Sequence, residues 1–468
     1  MRILLISPRA KTGGLESLRS GNQILQGLLY VAAAVKEAGH FVIVVHGDAS
    51  DVEASINKYR PDILGLSCVT STYPIARDTI IQAKKSFPHL KTIIGGHHAT
   101  FLYQEVIEDC GVDYVCRGEG EEVFVQLIQA LEKGNPYPSI EGITFFKDGS
   151  YHNDQKIAIL EDLHKLPRIT FDLVPAGTSF SPKIVSSRGC PFRCSFCSIS
   201  AFYNGVYRQR SVEAVIEDIK TYVAAGYHSF WFHDDNLTVD TKWVYAFCDA
   251  LDLNNIEITW NAMSRVDTIC NNPQLIQRMA QSGCKLLSIG IESGIPEVLE
   301  KLQKRIDNEQ IERAIKIMNS SKISHTWYMI LGSGDEFDTP QYMEKNIRFF
   351  RSHRFGFVLV SILTPLPGTE LYAKLKSEGR ILHKDYSKYD IMHCVYQPLG
   401  MSPKTMESYL PKAYLNIYLG KGWRLIPLLW KSSLSGAVRP NQIWKSITTL
   451  FKTYVLGRSF EEAIRKDR

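Results

Sequence analysis

Two stretches of the chain alternate short apolar runs with longer segments of helical spacing. In the first, RILLIS and FVIVVH are β-rich runs, and ILQGLLYVAAAVKEAGH between them has helical periodicity closed by Gly39. DILGLSC, KTIIGG and YVCRG continue the strands, separated by helical segments such as PIARDTIIQAKKSF and FLYQEVIEDCG, and EEVFVQLIQALEKG adds a last amphipathic helix. Continuous apolar strands alternating with helices predict a parallel sheet covered on both faces. Five such strands predict an α/β, doubly wound, flavodoxin-like domain over residues 1–135, with ligands at the carboxyl ends of its strands.

Residues 136–181 differ in texture. PYPSIEGITFFKDGSYHND predicts a β-hairpin with Asp148 and Gly149 at its turn, and LPRITFDLVP an irregular linker. A second alternating series then runs over 182–400. Its strands are PKIVSSRG, HSFWFHDD, EITWNAMSR, KLLSIGIES, HTWYMILG and FGFVLVSILTP, with helical runs such as SVEAVIEDIKTYVAAG and QIERAIKIMNSS between them. Six β/α units fall short of a closed eight-unit barrel, so the pattern predicts a partial β/α barrel with an open side. Residues 401–468 read as a helical region in which aromatic and basic positions interleave.

Composition adds little to this organisation except at the tail. The net charge of +5 is small for 468 residues and argues against a nucleic-acid partner. Residues 421–468 hold ten Lys/Arg against three Asp/Glu, so the tail carries +7 and the remainder −2. Trp423, Trp430, Trp444, Phe451 and Tyr454 alternate there with Lys and Arg, which suits either a helical cap packed on the barrel or a peripheral membrane-surface helix. Ten cysteines are too sparse for a disulfide scaffold in a chain of this length. With no signal-like start and no apolar run of membrane-spanning length, a cytoplasmic, reducing location is expected.

Three of those cysteines fall within eight residues. Cys190, Cys194 and Cys197 stand in SRGCPFRCSFC, where the first strand of the second series ends. Thiolates are soft ligands for iron–sulfur clusters or zinc. Structural zinc normally takes four ligands, and Cys248, about fifty residues on, sits mid-helix. Three ligands on one loop leave a coordination position open, as a catalytic cluster needs. A buried thiol group, or a zinc site completed by a distant histidine, is the competing reading.

The segment RGCPFRCSFC resembles the cluster loop of the radical S-adenosylmethionine (radical SAM) superfamily, which uses a six-unit partial barrel. The resemblance implies a [4Fe–4S] cluster held by Cys190, Cys194 and Cys197, whose open iron chelates S-adenosylmethionine and whose electron cleaves it to a 5′-deoxyadenosyl radical. It implies an S-adenosylmethionine site formed by Phe196 near the adenine, Asp234 and Asp235 near the methionyl amine, Arg265 on the carboxylate and Glu292 on the ribose. Strand-end carboxylates and arginines are also commonly caps or surface ion pairs. The family's Gly-Gly-Glu stretch is here HDDN, as in its cobalamin-binding branch.

The first domain matches that branch in SCVTSTYPIARD, IIGGHHAT and RGEGEE, three strand-to-helix loops on the ligand-binding edge. The resemblance implies cobalamin held by Ser67, Val69, Thr70, Ser71, Gly95, Gly96, Gly118, Glu119 and Gly120. For RGEGEE alone, acidic capping of the following helix is the simpler account. The Asp-x-His-x-x-Gly of cobalamin proteins with a histidine lower ligand is absent; that place reads SPRAKTGG, so no histidine is expected below the cobalt. The layout is most similar to the branch of the anaerobic magnesium-protoporphyrin cyclase and the hopanoid-modifying enzymes. It implies methylation, cyclisation or rearrangement of an apolar, lipid- or tetrapyrrole-like small molecule, with a flavodoxin or ferredoxin as electron donor. The alternatives are a non-catalytic cobalamin/iron–sulfur redox sensor and a zinc-stabilised binding protein.

Overall fold

The computed structural model describes residues 1–9, 25–152, 156–175 and 182–419, and these fall into two compact units. The first spans Met1–Phe180 and takes in Lys384–Tyr389; the second comprises Ser181–His383 and Asp390–Arg468. Trp423, Trp430, Trp444, Phe451 and Tyr454, like most of SPRAKTGG, lie outside the described residues.

In the first unit, β1 (Arg2–Pro8), β2 (Phe41–Gly47), β3 (Ile63–Ser67), β4 (Lys91–Gly95) and β5 (Tyr114–Cys116) form a parallel sheet in the order β2-β1-β3-β4-β5. Helices Gln26–Glu37, Ala49–Tyr59, Tyr73–Ser86, Tyr103–Cys110 and Glu121–Glu132 connect or follow the strands. β1 is buried at every position after Arg2, as a central strand covered on both faces must be. The hairpin predicted in the linker forms as β6 (Ile143–Lys147) and β7 (Ser150–His152). Asp148 and Gly149 both take positive φ, 51° and 76°, as a two-residue hairpin turn requires. β6 pairs antiparallel with β5, so the hairpin extends the sheet of the first unit.

The second unit contains β8 (Lys183–Ile184), β9 (Ser187–Arg188), β10 (Arg208–Gln209), β11 (Ser229–Phe232), β12 (Thr259–Arg265), β13 (Cys284–Glu292), β14 (Ser324–Leu331) and β15 (Phe357–Ile362). Six of them form one parallel sheet in the order β8-β11-β12-β13-β14-β15, with β8 and β15 at its two edges, so the barrel stays open. β9 and β10 pair separately as a short antiparallel ribbon. The helix Pro403–Leu419 packs along the outer edge of β15.

Ring contacts tell the two faces of the barrel sheet apart. Phe230 lies 6.1 Å from Tyr222 of the helix Val212–Ala224, and Phe232 and Trp260 pack on Phe247 of the helix Thr241–Leu253. Alternation then turns Trp231, Asn261, Met263 and Arg265 to the opposite, lumen side. Register carries that side across the sheet, because Met263 pairs with Ser288, Gly290 with Tyr328, and Trp231 with Lys183 on β8.

Candidate functional site

The cysteine loop hangs between β9 and β10 and is fixed by its backbone. Gly189 opens it at φ 86°, where an added Cβ would lie 2.0 Å from the Val206 carbonyl oxygen, so only glycine fits. Ser195 donates from its backbone N–H to Leu302 at 3.3 Å, and its carbonyl accepts from Leu371 at 3.1 Å. The Ser200 hydroxyl closes on the Phe192 carbonyl at 2.9 Å.

Exposure separates two kinds of cysteine. Cys190, Cys194 and Cys197 are half-buried, whereas the other seven are buried, and all ten are free thiols. Burial pushes Cys190 up to about 11 and raises Cys197, so holding them as thiolates at neutral pH calls for a cationic centre. Among the described residues no three His, Cys, Asp or Glu side chains converge on a single-ion site. A polynuclear cluster, with each thiolate on its own iron, does not require such convergence. The donor set therefore fits an iron–sulfur cluster.

The strand-end residues gather around this loop with different partners. Asp234 is fully buried: its Oδ1 accepts from the Ser186 backbone at 2.8 Å, and its Oδ2 from the hydroxyls of Ser186 and of Ser187, the latter at 2.9 Å. Both oxygens are committed to the strand that leads into the loop. Asp235 is pushed up to about 7 by burial and by Asp234, against a hydrogen bond from the Gly189 backbone. Arg265, ending β12, holds Asp267 at 3.0 Å, donates to the Lys304 carbonyl at 3.0 Å, and lies 3.6 Å over the Phe192 ring. Phe196 is half-buried on the same loop.

Glu292 ends β13 at φ 73°, an uncommon conformation for a carboxylate residue, at a break in the β13–β14 register. Its Oε1 lies 2.6 Å from Lys304 Nζ, and each side chain is only 8% exposed. Gly290 makes room for this pair, since a Cβ there would lie 2.4 Å from Glu292 Oε1 and 2.7 Å from Lys304 Nζ. Burial alone would lower the pKa of Lys304, yet it stays raised, held up first by Glu292 and then by the nearby Cys194. Lys304 and Phe192 were not anticipated from sequence. Lys304 follows Glu292 by twelve residues across a helix, and no local spacing ties the two.

In the first unit, the loops after β3 and β4 meet at the carboxyl edge of the sheet. Gly96, at φ 95°, packs so tightly that a Cβ would lie 2.3 Å from the Cys68 carbonyl oxygen, while Cys68 donates to Gly95 at 3.0 Å. Ser67 and Ser71 are half-buried and Thr70 is buried; Val69 donates from its backbone to Thr72 at 3.2 Å. Ser67 and Ser71 hydroxyls make no hydrogen bond among the described residues. The RGEGEE loop is engaged differently. Gly118 takes φ 105° against Ala158, Glu119 accepts from the Leu160 backbone at 2.5 Å, and Gly120 packs near Val31. His98 is fully buried, its ring stacked 4.1 Å from Tyr73 and meeting Tyr386 edge-on at 4.5 Å, which is a packing position.

Comparison with known proteins identifies both units. The B12 binding domain family matches residues 23–128, and the Radical SAM superfamily matches residues 184–350. An uncharacterized methyltransferase of Pyrococcus horikoshii is 30% identical over 432 residues, 90% of this chain and 93% of its own. The chain belongs to the cobalamin-binding radical SAM enzymes. The anaerobic magnesium-protoporphyrin IX monomethyl ester cyclase of Rubrivivax gelatinosus is 27% identical over 91% of the chain and 79% of its own length. The solved cobalamin-dependent radical enzyme OxsB, with aqua-cobalamin and S-adenosylmethionine bound, shares the fold at a TM-score of 0.71 and 15% identity, covering 100% of this chain and 75% of its own. As a cobalamin-binding radical SAM enzyme the protein uses a [4Fe–4S] cluster, S-adenosylmethionine and cobalamin, so the expectation of an enzyme stands and the sensor and zinc-protein alternatives are set aside.

Proposed function

We propose that this radical SAM enzyme modifies an apolar, natural-product-like small molecule, by methyl transfer as the first reading and by cyclisation or rearrangement as the second. The observation that carries it is the meeting of three half-buried thiols with the buried Glu292–Lys304 pair and Arg265 at one end of an open parallel sheet. The relatives support both reactions, one by its name as a methyltransferase and one as a cyclase.

In this reading residues 1–135 bind cobalamin, 136–181 link, 182–400 hold the cluster and S-adenosylmethionine, and 401–468 are an appended helical region. Cys190, Cys194 and Cys197 ligate the cluster, which when bound with S-adenosylmethionine supplies a carbon radical. Asp235 faces the methionyl amine, with Asp234 shaping the strand beneath it. Arg265 and Lys304 provide the positive field that a carboxylate needs, Glu292 accepts from ribose hydroxyls, and Phe196 lies against the adenine. Ser67, Val69, Thr70 and Ser71 line the nucleotide tail of cobalamin, and Gly95 and Gly96 let the backbone come close. Gly118, Glu119 and Gly120 act by holding the neighbouring loop.

The lumen side of the barrel, with Trp231, Met263, Tyr328 and Leu359, supports an apolar substrate body. A low-potential flavodoxin or ferredoxin supplies electrons in a cytoplasmic setting, and the basic-aromatic tail makes any peripheral membrane contact. Among the described residues no helix is long and apolar enough to cross a membrane.

The test is anaerobic reconstitution followed by metal analysis and reduction. About four irons and one cobalt per chain, with 5′-deoxyadenosine released on reduction in the presence of S-adenosylmethionine, is the expected result. Bound zinc without iron, or an intact cluster that releases no nucleoside, overturns it.

A further inference from the structure

The lumen side of the barrel sheet carries two polar atoms that no group among the described residues satisfies. Asn261 on β12 is half-buried there, and its Oδ1 is shut off from solvent without a hydrogen-bond partner. Ser288 on β13 is fully buried on the same side, and its Oγ likewise has none. Met263 stands opposite Ser288 and Asn261 opposite Leu286, so Asn261 and Ser288 are diagonal neighbours on adjacent strands. Side chains this short do not meet across a diagonal, but a single oxygen between them closes the gap. Thr326 on β14 continues the row beside Ser288.

Two comparable groups turned away from the lumen are matched. Ser264, facing outward on the strand that carries Asn261, shares a hydrogen bond with Thr238 at 2.8 Å. Asn346 accepts from the Gly294 N–H at 2.9 Å and donates to the Ile330 carbonyl at 3.4 Å. A buried polar group without a partner is costly, and native chains keep few of them. The two atoms also specify what they take. Asn261 Oδ1 only accepts, so it calls for a donor, whereas the Ser288 hydroxyl can donate or accept. One hydroxyl group serves both, donating to Asn261 and accepting from Ser288; a ketone or an ether leaves Oδ1 unmatched. Met263, unbranched and half-buried beside Ser288, can re-pack around an entering group.

We infer that Asn261 and Ser288 bind a hydroxyl group carried on the apolar body of the substrate. The inference deepens the reading of the lumen as the substrate site and rests on it. Asn261 precedes Arg265 by four residues on β12, about 13 Å at the usual strand rise. The hydroxyl is therefore the deep anchor, and the apolar body runs along Met263 toward the strand ends that surround the cysteine loop. This narrows the substrate class to apolar alcohols or phenols, for which a hydrocarbon of the same shape is a poor replacement.

The experiment is equilibrium dialysis of the anaerobic holoenzyme against 2-naphthol and 2-methylnaphthalene, which differ by a hydroxyl against a methyl group. The parent should bind the naphthol about tenfold or more tighter, although the methyl compound is the more apolar. Asn261→Leu and Ser288→Ala should each bring the two probes within about twofold, with iron and cobalt contents matching the parent chain. Urea denaturation without probe supplies a second readout: Ser288→Ala should leave the midpoint unchanged or raise it, because it deletes a group that had no partner. Equal binding of the two probes by the parent, or binding of neither, overturns the inference, as does a naphthol preference that both variants keep. So does a Ser288→Ala chain that loses stability with the preference intact, because the hydroxyl would then serve the fold through a bound water. A parent enzyme that releases 5′-deoxyadenosine yet shows no naphthol preference leaves the proposed function standing. One that releases none removes that function, while the dialysis, which needs no turnover, still decides the anchor.

Discussion

Glu292 and Lys304 form an ion pair 2.6 Å long between side chains that are each 8% exposed, beside the Cys194 thiol. A pair this buried is stable only while both partners remain, since removing one leaves an uncompensated charge that costs about 3–5 kcal/mol. Lys304→Met should therefore lower the unfolding free energy of the second unit by that order and weaken S-adenosylmethionine binding. Adding Glu292→Gln should recover much of the stability but not the binding. Denaturant titration alongside equilibrium binding separates the two, and a Lys304→Met chain of unchanged stability would show that the pair is not formed in solution.

Cys194→Ala leaves two of the three loop thiols, too few to hold the cluster, while Gly95, Gly96, Ser67 and Ser71 are untouched in the other unit. The variant is expected to lose the iron–sulfur absorbance and all 5′-deoxyadenosine release, yet keep cobalamin at close to one per chain. Anaerobic absorbance spectra with iron and cobalt analysis read both quantities. Loss of cobalamin together with iron would contradict separable cofactor units.

The strands, and the place of the cysteine loop after one of them, were legible because their signals are local. The continuous apolar runs RILLIS and FVIVVH mark parallel strands, the first central and the second at the edge of its sheet, and C-x3-C-x2-C places its chemistry within one loop. Lys304 was not legible, because its pairing with Glu292 depends on a helix folding back over the strand end. Likewise Asp234 and Asp235 look equivalent in HDDN, and only burial shows the first committed to Ser186 and Ser187. The hairpin at Asp148-Gly149 was legible as a hairpin, but its docking on β5 is a long-range pairing that no turn signal reports.

His98 makes the first unit sensitive to acid. Burial holds its pKa down at about 3, between the rings of Tyr73 and Tyr386, with Glu105 pulling weakly the other way. Because the folded value lies below the unfolded one, this contribution is complete above about pH 6.5 and is lost as the pH falls toward 3, at about 1.4 kcal/mol per unit. His98→Phe keeps an aromatic ring in the stack and removes the titration. Urea denaturation of the cobalamin-loaded protein between pH 7.5 and 5 should show a shallower decline for the variant than for the parent, and parallel declines would refute the assignment.

Two tyrosines on the helix Pro403–Leu419 cover the free edge of the barrel sheet. Tyr418 Oη accepts from the Val358 N–H at 2.9 Å and donates to the Val358 carbonyl at 2.7 Å. Tyr414 Oη does the same at Val360, at 3.0 and 3.1 Å, and the two rings stack with planes 9° apart. Spaced four residues apart on the helix, they match backbone groups two residues apart on the strand, so the hydroxyls take the place of a neighbouring strand. An edge left open is a template for intermolecular pairing. Tyr414→Phe and Tyr418→Phe each leave an N–H and a C=O without their partner, at about 1–3 kcal/mol per site, and the double variant uncovers two successive pairing positions. Each single variant should lower the denaturation midpoint modestly. The double variant should also aggregate on warming, with a β-type infrared band that the parent lacks. A double variant that stays monomeric by light scattering at the same temperature would show that the helix protects the edge by its bulk alone.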